Sequence, residues 1–538
     1  MIDVGGQKKV VEVGKLSEDE LRALVPDLLD RLKQSEQRIA ELLRMIYGRR
    51  SEKSRYDTAT GLLPFDGIDD LREELEAASS EADSITVPAH ERKTSKRRSE
   101  FPDHLPRHRT EFTLEGAARD CPECGTERAE IGEEVAQELE RVEFVYVNQL
   151  ARKKYACRKC EGHVAIAEGG QRVLPKCVLG PGFLAQIIFE RFGNHMPYAR
   201  LETKYKTEGI SIARSVMCTS VMRCAELLEP VFEAHKKQVL ESLANSVLQG
   251  DDTTITLRNG RDPGSREIFL WAWRDQVAGV FYMLTESRNR DGPMELIGDR
   301  EGRLQCDGHD CFDGLDLALI VRIGCWAHVR RYFEKANKSG DKNAVRILAL
   351  INKLFAIERM AKELAVKRTT PLTDGELLVI RKEKSAPIVA AIKAWLDDAV
   401  LSPPSLPKGP LMKGVRYTIR QWSTLTRFLE DGRIREISNN GCERALRAPV
   451  IGRKNWNFFG SEEGAKAGVI MMSLVQSCRE HGINPLLYLR DVLHLISVVP
   501  ASQVGTLTPR GWKATGAEVE RKTRAAGELA DVVRALSF

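Results

Sequence analysis

The block from residue 247 to residue 333 constrains the fold of this chain more than any other stretch. Short runs of apolar and β-branched residues recur there between turns, which is the pattern of β-strands. The last run is apolar almost throughout, as in a strand that is buried on both faces of a sheet. The runs predict five strands, at 247–257, 267–273, 277–284, 304–307 and 317–324.

Helices are predicted between and after the later strands. A short helical piece covers 293–297 and a helix covers 325–333, whereas only a short loop, 308–314, follows the fourth strand. Three strands, helix, strand, helix, strand and helix is the order of a ribonuclease H-like fold, here with a loop in place of the middle helix. In that fold, the acidic residues of the active site come from the first strand, the fourth strand and a later helix.

Acidic residues occur on the first and fourth predicted strands. Asp251 and Asp252 lie on the first strand, and Asp307 ends the fourth. Neighbouring residues on a strand point to opposite faces, so only one of the two adjacent aspartates can face the same site as Asp307. The pattern does not select between Asp251 and Asp252.

The third acid is predicted in the stretch 436–461, where charged, amide and aromatic side chains are concentrated. A helix that starts near Ser438 would place Asn439, Glu443 and Arg447 on one face. One carboxylate would then lie among amide and guanidinium groups. Taken alone, such a run is more often a charged helix with a surface salt bridge.

Pro449 is expected to end this helix. The chain would then pass Arg453 and Lys454 and reach a turn at 458–460, so that cations and aromatic rings lie beside the acid. Such a combination suits a metal-bound phosphate backbone. We therefore predict Arg447, Arg453 and Lys454 as phosphate contacts.

Two Cys-x-x-Cys pairs lie N-terminal to the strand block at 247–333. The pairs are separated by 32 residues that contain strand-like runs at 142–147 and 150–156. Two such knuckles joined by a β-hairpin make a zinc ribbon, in which four thiolates close a tetrahedral site and leave no open catalytic position. A redox pair would need a thioredoxin-like context, which is absent. The predicted structural Zn²⁺ ligands are Cys121, Cys124, Cys157 and Cys160.

Two further features are predicted DNA contacts. The ribbon hairpin carries three cations, Arg152, Lys153 and Lys154, although zinc ribbons also serve purely as protein docking modules. Helical patterns at 183–192, 197–207 and 212–243, with a break at Gly209, resemble a helix-turn-helix. The alternative for these helices is an ordinary helical hairpin that packs on the next domain.

The N-terminal region has the pattern of a short coiled coil. Apolar residues recur in alternating steps of four and three between Leu21 and Ile46. Pro26 is expected to begin the continuous helix, which leaves barely three heptads. The pattern therefore fits a dimerising helix and a plain amphipathic helix equally well. The linker that follows contains a basic segment at 90–109 that could lie along phosphates, although a solvated linker is the more common explanation.

Composition bounds the class of protein. A chain of 538 residues with 42% hydrophobic and 30% charged residues is globular and needs several domains. The net charge is only +5, so any nucleic-acid surface must be local. Scattered cysteines, no secretory signal and no long apolar run predict a soluble, cytoplasmic protein without a membrane partner.

The expected architecture is a multidomain α+β and α/β chain. A ribonuclease H-like core with a helical insertion follows an N-terminal coiled-coil helix, a zinc ribbon and a helix-turn-helix-like domain. The expected segments are the coiled coil at 1–48, the linker at 49–115, the ribbon at 116–177, the helix-turn-helix-like domain at 178–245, the core at 246–336 and 433–500, the insertion at 337–432 and the tail at 501–538.

These segments resemble the DDE transposases of the insertion-sequence sixty-six family over nearly the whole chain. The matching segments are GRRSEKS near residue 48, the CPECG and CRKC knuckles, GDDT at 250–253, LQCDG at 304–308, CWAHVRRYF at 325–333, NNGCERALRAPVIGRKNWNFFGS at 439–461 and GINPLLYLRDVL at 482–493. The CWAHVRRYF and NNGCERALR segments are highly specific.

The resemblance places the three acids of the family on Asp251, Asp307 and Glu443. Two positions depart from the family pattern: Gly250-Asp-Asp-Thr stands where the family usually has Ala-Asp-Glu-Thr, and His309 stands where it tends to have Tyr. Converging carboxylates repel one another, so we expect Mg²⁺, or Mn²⁺ as its substitute, at these acids.

The implied function is a DNA transposase with a two-metal mechanism, which nicks DNA at element ends and transfers the freed 3′-hydroxyl into target DNA. One alternative is a non-catalytic DNA-binding regulator, and another is a nuclease that only hydrolyses. Element-end and target DNA, a homo-oligomer on DNA and small accessory proteins of the same element are the implied partners. Cys325 and His328 form a Cys-x-x-His pair of the kind found in zinc sites. Because no second pair lies nearby, we expect a packing or site-supporting role for both.

Overall fold

The computed structural model describes residues 172–258, 264–312, 319–368 and 370–516, together with short pieces at 2–4, 7–9, 145, 147, 151–155 and 165–167. The chain divides into one unit at Ser51–Gly170 and another that combines Met1–Arg50 with Gln171–Phe538. Several predictions lie outside the described residues: the coiled coil at 21–46, the linker, the four ribbon cysteines and the last part of the predicted tail, residues 517–538.

Two short hairpins are described in the N-terminal third of the chain. Strand β1 (Ile2–Val4) pairs antiparallel with β2 (Gln7–Lys9). In the unit that contains the predicted ribbon, β3 (Lys154–Tyr155) pairs antiparallel with β4 (Ala165–Ile166). The hairpin predicted from 142–147 and 150–156 differs from this pairing, since Val145 and Val147 are not in a strand.

One central sheet contains all five predicted strands, which are β5 (Val247–Arg258), β6 (Ser265–Asp275), β7 (Gly279–Thr285), β8 (Gly302–Gln305) and β9 (Ile320–Ile323). Their order is β7-β6-β5-β8-β9. The pairs β5–β6 and β6–β7 are antiparallel, whereas β5–β8 and β8–β9 are parallel. The predicted helical piece is α4 (Asp291–Ile297), and a single 3-10 turn at Asp310–Phe312 lies in the loop after β8.

Among the described residues, three α-helices precede the sheet: α1 (Pro181–Phe192), α2 (Tyr198–Thr207) and α3 (Arg214–Glu241). They occupy the positions predicted from the helical pattern, and Gly209 has the positive φ of +78° that the turn between α2 and α3 requires. Helix α3 is 28 residues long, and its buried His235 lies 3.0 Å from the carbonyl oxygen of Val280 on β7. Its C-terminal half therefore packs on the sheet.

Helix α5 (Trp326–Lys338) follows β9 and leads into the helical insertion. The insertion contains α6 (Ala344–Arg368), α7 (Asp374–Ile380), a π-helical turn (Arg381–Ser385), α8 (Ala386–Leu401), α9 (Pro410–Arg420) and α10 (Trp422–Thr426). Its apolar residues form a core of their own with α5. Inside this region, the guanidinium of Arg381 is fully buried and donates two hydrogen bonds to Glu358, at 2.8 and 2.7 Å.

The last described region begins with α11 (Asn440–Trp456), and Pro449 lies inside that helix. The prediction that Pro449 ends the helix is wrong, for a physical reason. Proline has no N–H to donate to the carbonyl four residues earlier, that of Ala445. The buried hydroxyl of Tyr282 donates to that carbonyl instead, at 2.7 Å, so the helix continues without an unsatisfied acceptor.

The turn predicted at 458–460 is also wrong in part. Phe458–Phe459 forms β10, which pairs in parallel with the far end of β5. Helices α12 (Glu462–Glu480), α13 (Pro485–Leu495) and α14 (Pro509–Ala514) complete the described chain. Among the described residues, no helix combines the length and the apolar character needed to cross a membrane.

Candidate active site

The parallel pairing of β5 with β8 places the first two predicted acids at matching positions of their two chain segments. Gln249 pairs with Gln305 at the end of this ladder, and Asp251 and Asp307 each follow two residues later. Side chains two residues apart on a strand point to the same face. The register therefore puts Asp251, and not Asp252, on the face that continues toward Asp307.

A buried layer of amides and charges supports the two acids. The Nε2 atom of Gln249 donates to Oε1 of Gln305 at 2.8 Å, and Arg274 Nη1 donates to Oε1 of Gln249 at 2.7 Å. Gln305 Nε2 donates to the carbonyl of Glu436 at 2.9 Å, and Arg274 Nε donates to Glu480 at 3.0 Å. Sequence reasoning missed this layer, although the repeated Gln-x-Asp pattern at 249–251 and 305–307 is its signal.

The start of α11 is fixed to β5 beside the first acid. The side chain of Asn439, which precedes α11, donates to the carbonyl of Gly250 at 3.0 Å. A β-carbon on Gly441 would overlap Nη1 of Arg274, so any larger residue there would have to displace this buried guanidinium. Glu443 lies in the first turn of the helix. These contacts place the third predicted acid, Glu443, at the same end of the sheet as Asp251.

The other two acids act electrostatically on Asp251. Burial, and then the charges of Asp307 and Glu443, raise the pKa of Asp251 to about 8. Burial also raises the pKa of Asp252, although Arg288 opposes this shift. Arg288 donates to Asp252 at 2.7 Å and lies 3.9 Å from Asp307. Asp252 is thus held in an ion pair, whereas Asp251 faces two other carboxylates.

Helix α5 surrounds Glu443 with a thiol, an imidazole and a guanidinium. Arg331 donates a hydrogen bond to Oε1 of Glu443, and Nδ1 of His328 lies 3.7 Å from the same oxygen. Metal-binding atoms of Cys325, His328 and Glu443 all lie within 4.8 Å of one another. Cys325 and His328 therefore lie where a site-supporting role would require them, and Arg331 is a site residue that sequence reasoning missed.

The helical insertion contacts the loop that carries the second acid. The backbone N–H of His309 donates to Oδ1 of Asp307 at 3.1 Å, and that of Gly308 donates to the hydroxyl of Tyr417 on α9 at 3.2 Å. The ring of Tyr417 packs against Tyr332 on α5 with centroids 4.6 Å apart. The contact of His309 with Asp307 is a backbone contact that any residue could make, whereas its Nδ1 atom accepts a hydrogen bond from the backbone N–H of Cys311 at 3.2 Å.

Gly250, which stands where the family pattern usually has alanine, is explained by packing. A β-carbon there would lie 2.9 Å from the indole ring of Trp273, which is fully buried on β6. Real side chains essentially never approach so closely, so this tryptophan requires glycine before the first acid.

The predicted phosphate contacts occupy different environments. Arg447 is half-buried one turn after Glu443, and Lys454 is exposed. Arg453 instead donates to Thr253 Oγ1 at 2.9 Å and to the carbonyl of Thr254, which holds α11 against β5. The cations of the predicted ribbon, Arg152, Lys153 and Lys154, are exposed.

Three family models match the chain. The model described as "Transposase IS66 family" matches residues 176–467, which is more than half of the chain. The "zinc-finger binding domain of transposase IS66" matches 118–161, around the two Cys-x-x-Cys pairs. The model described as "Transposase C of IS166 homeodomain" matches 34–110, from the predicted coiled coil into the linker.

Three proteins of Sinorhizobium fredii (strain NBRC 101917 / NGR234) are similar over most of their length. "Uncharacterized protein y4hP" is 30% identical over 519 residues, which are 90% of this chain and 89% of that protein. "Uncharacterized protein y4jD" is 27% identical, over 88% of this chain and 94% of its own. "Uncharacterized protein y4qI" is 28% identical, over 89% and 90%.

Proposed function

This chain belongs to the IS66 transposase family, and we propose that it cuts DNA at the ends of an insertion sequence and joins those ends to target DNA. The observation that carries the proposal is the convergence of Asp251, Asp307 and Glu443 at one end of the sheet. We take the sheet, with its order β7-β6-β5-β8-β9, to be ribonuclease H-like.

The acids fit a pair of hard divalent cations. Asp251 is half-buried beside two other carboxylates. Its raised pKa reflects the free-energy cost of charging it there. Oxygen ligands favour Mg²⁺, or Mn²⁺ as a substitute. When bound, such ions activate the attacking oxygen and stabilise the leaving oxygen of an in-line displacement. We assign Asp251, Asp307 and Glu443 as their ligands.

Neighbouring residues of this chain are proposed to position the acids and the DNA. Asn439 and the glutamine layer fix the carboxylates, Arg288 holds Asp252 away from the ions, and Arg447 and Lys454 contact phosphates. We assign Arg453 to the packing of α11 on β5, where its guanidinium already donates to the strand. No step needs ATP, because one phosphodiester is exchanged for another.

The N-terminal modules are proposed to recognise the element ends. The zinc-finger match supports Zn²⁺ bound by the four ribbon cysteines, and the exposed cations at 152–154 suit phosphate contacts. We further propose a homo-oligomer on DNA, because joining two ends requires that both be held together. Deleting residues 1–48 should then lower the oligomeric state measured with end DNA.

The regulator alternative assigns the acids a structural role, which the environment of Asp251 does not favour. A stabilising carboxylate has its pKa lowered by a cation or by donors, whereas burial and like charges raise that of Asp251. Such unfavourable burial is typical of a functional site. Strand transfer would also separate this protein from a nuclease that only hydrolyses.

The test is strand transfer of a labelled element-end duplex into plasmid with Mg²⁺, for wild type and for Glu443→Gln. Glutamine keeps the shape of Glu443 and removes its charge, and Asp398→Asn, an exposed change on α8, is the matched control. We expect joined product from wild type and control only, with DNA binding retained in all three. DNA binding without joining, even after the element's accessory proteins are added, would favour the regulator.

A further inference from the structure

Cys325, His328 and Glu443 bring three different metal-binding atoms together beside the acid cluster. A sulfur, an imidazole nitrogen and a carboxylate oxygen lie within 4.8 Å of one another. The sequence shows only the Cys-x-x-His pair, because the third donor comes from α11, more than a hundred residues later. This set of donors differs in kind from the three carboxylates, which offer oxygen alone.

The donors are arranged as ligands rather than as ordinary packing groups. Among the described residues, no hydrogen-bond partner satisfies the buried Nδ1 atom of His328, which faces Oε1 of Glu443 at 3.7 Å. The sulfur of Cys325 accepts a hydrogen bond from the backbone N–H of Asn439 at 3.1 Å. Cys325 is the N-cap residue of α5, so its sulfur lies directly before the first turn of the helix that carries His328.

We propose that Cys325, His328 and Glu443 bind a soft divalent cation of the Zn²⁺ type, with water in the fourth position. Thiolate and imidazole donors select Zn²⁺ over Mg²⁺, and three protein ligands with one open position are common for zinc. Bond lengths of about 2.0–2.3 Å place tetrahedral ligand atoms about 3.3–3.8 Å apart, so the donors approach by side-chain rotation. Binding releases the thiol proton to solvent.

Occupation of this site would withdraw Glu443 from the three-acid cluster, so Zn²⁺ should inhibit the Mg²⁺-dependent reaction. This consequence rests on the proposed function, whereas the binding itself does not. Arg331 competes with the cation, because its guanidinium donates to the same carboxylate oxygen.

The test uses Co²⁺, whose bond to a thiolate gives a charge-transfer absorption. Full-length protein with Zn²⁺ already in the ribbon, freed of excess metal, is titrated with Co²⁺. We expect one additional thiolate-bound Co²⁺ in wild type and none in Cys325→Ser. His328→Gln should weaken binding by at least about tenfold. Cys224→Ser, which changes another buried thiol on α3, is the matched control and should retain the band.

The outcomes separate the inference from the proposed function. Absence of additional thiolate-bound Co²⁺ in wild type, or an undiminished band in both Cys325→Ser and His328→Gln, overturns the site. Near-ultraviolet circular dichroism identifies a variant that has not folded, and the other variant then decides. Co²⁺ binding by a protein that never joins DNA would support the site and count against the transposase proposal.

Discussion

Replacing Asp251 by asparagine is expected to stabilise the metal-free protein, because asparagine resembles the protonated acid. Burial, and then the charges of Asp307 and Glu443, raise the pKa of Asp251 from 3.8 to about 8. Between these two values, the folded protein keeps a proton that the unfolded chain has released. The stability of the wild type therefore falls as the pH rises from about 4 to about 8.

The size of the gain follows from these two pKa values. Each pH unit between them removes about 1.4 kcal/mol from the free energy of unfolding of the wild type. Asp251→Asn should therefore gain about 4 kcal/mol at pH 7 and about 6 kcal/mol above pH 8, both as upper bounds. Below pH 4 the gain should be close to zero, because Asp251 is then protonated in both states.

The assay is denaturant unfolding in buffer without Mg²⁺ at about pH 5 and about pH 8.5, with Asp398→Asn as the exposed control. Adding Mg²⁺ should stabilise wild type by mass action and should leave Asp251→Asn unchanged. A variant that is destabilised by the same amount at both pH values would refute the reasoning. So would a gain that does not depend on pH, since it could not come from a buried charge.

Two further substitutions test the scaffold. Gly441→Ala should cost about 1–3 kcal/mol of stability and most of the strand transfer activity, because the new methyl group would overlap Arg274. Gly375→Ala is the control, since a β-carbon at Gly375 has no neighbour within 4 Å. Equal effects of the two substitutions would contradict this prediction. Glu358→Gln should lower the free energy of unfolding, measured with denaturant, by about 3–5 kcal/mol, because it leaves the buried guanidinium of Arg381 without its counter-charge. A cost below about 1 kcal/mol would show that stability does not depend on this ion pair.

The sheet could be predicted from the sequence because its strands alternate or are continuously apolar. The period of hydrophobic residues depends on local geometry alone, so all five strands were found, with errors at their ends. The fourth strand, for example, ends at Gln305 rather than at Asp307. Asp307 could still be identified, because it follows the strand directly.

The course of the chain after Pro449 could not be predicted, because a distant residue decides it. The hydroxyl of Tyr282 satisfies the carbonyl that the proline leaves free, and no local pattern reports that contact. The choice between Asp251 and Asp252 is of the same kind. It depends on the register between β5 and β8, which spacing along one strand does not contain.

Part of the support around the acids was missed for a related reason. Asn439 was expected beside Glu443, but its hydrogen bond to the carbonyl of Gly250 on β5 was not. Arg331 reaches Glu443 from a helix that only the fold brings close. Arg331 is half-exposed in a run of charged and aromatic residues, where an ordinary solvated face is the simpler interpretation. Only the repeated Gln-x-Asp pattern gave a local signal for the buried layer below the acids.

The most direct test of the central claim, that Asp251, Asp307 and Glu443 form one metal site, is Mn²⁺ binding measured by the loss of the free-ion electron paramagnetic resonance signal. The wild type should bind Mn²⁺, Asp251→Asn and Glu443→Gln should each lose the site, and Asp252→Asn should retain it. Loss of binding in Asp252→Asn together with retention in Asp251→Asn would contradict the assignment.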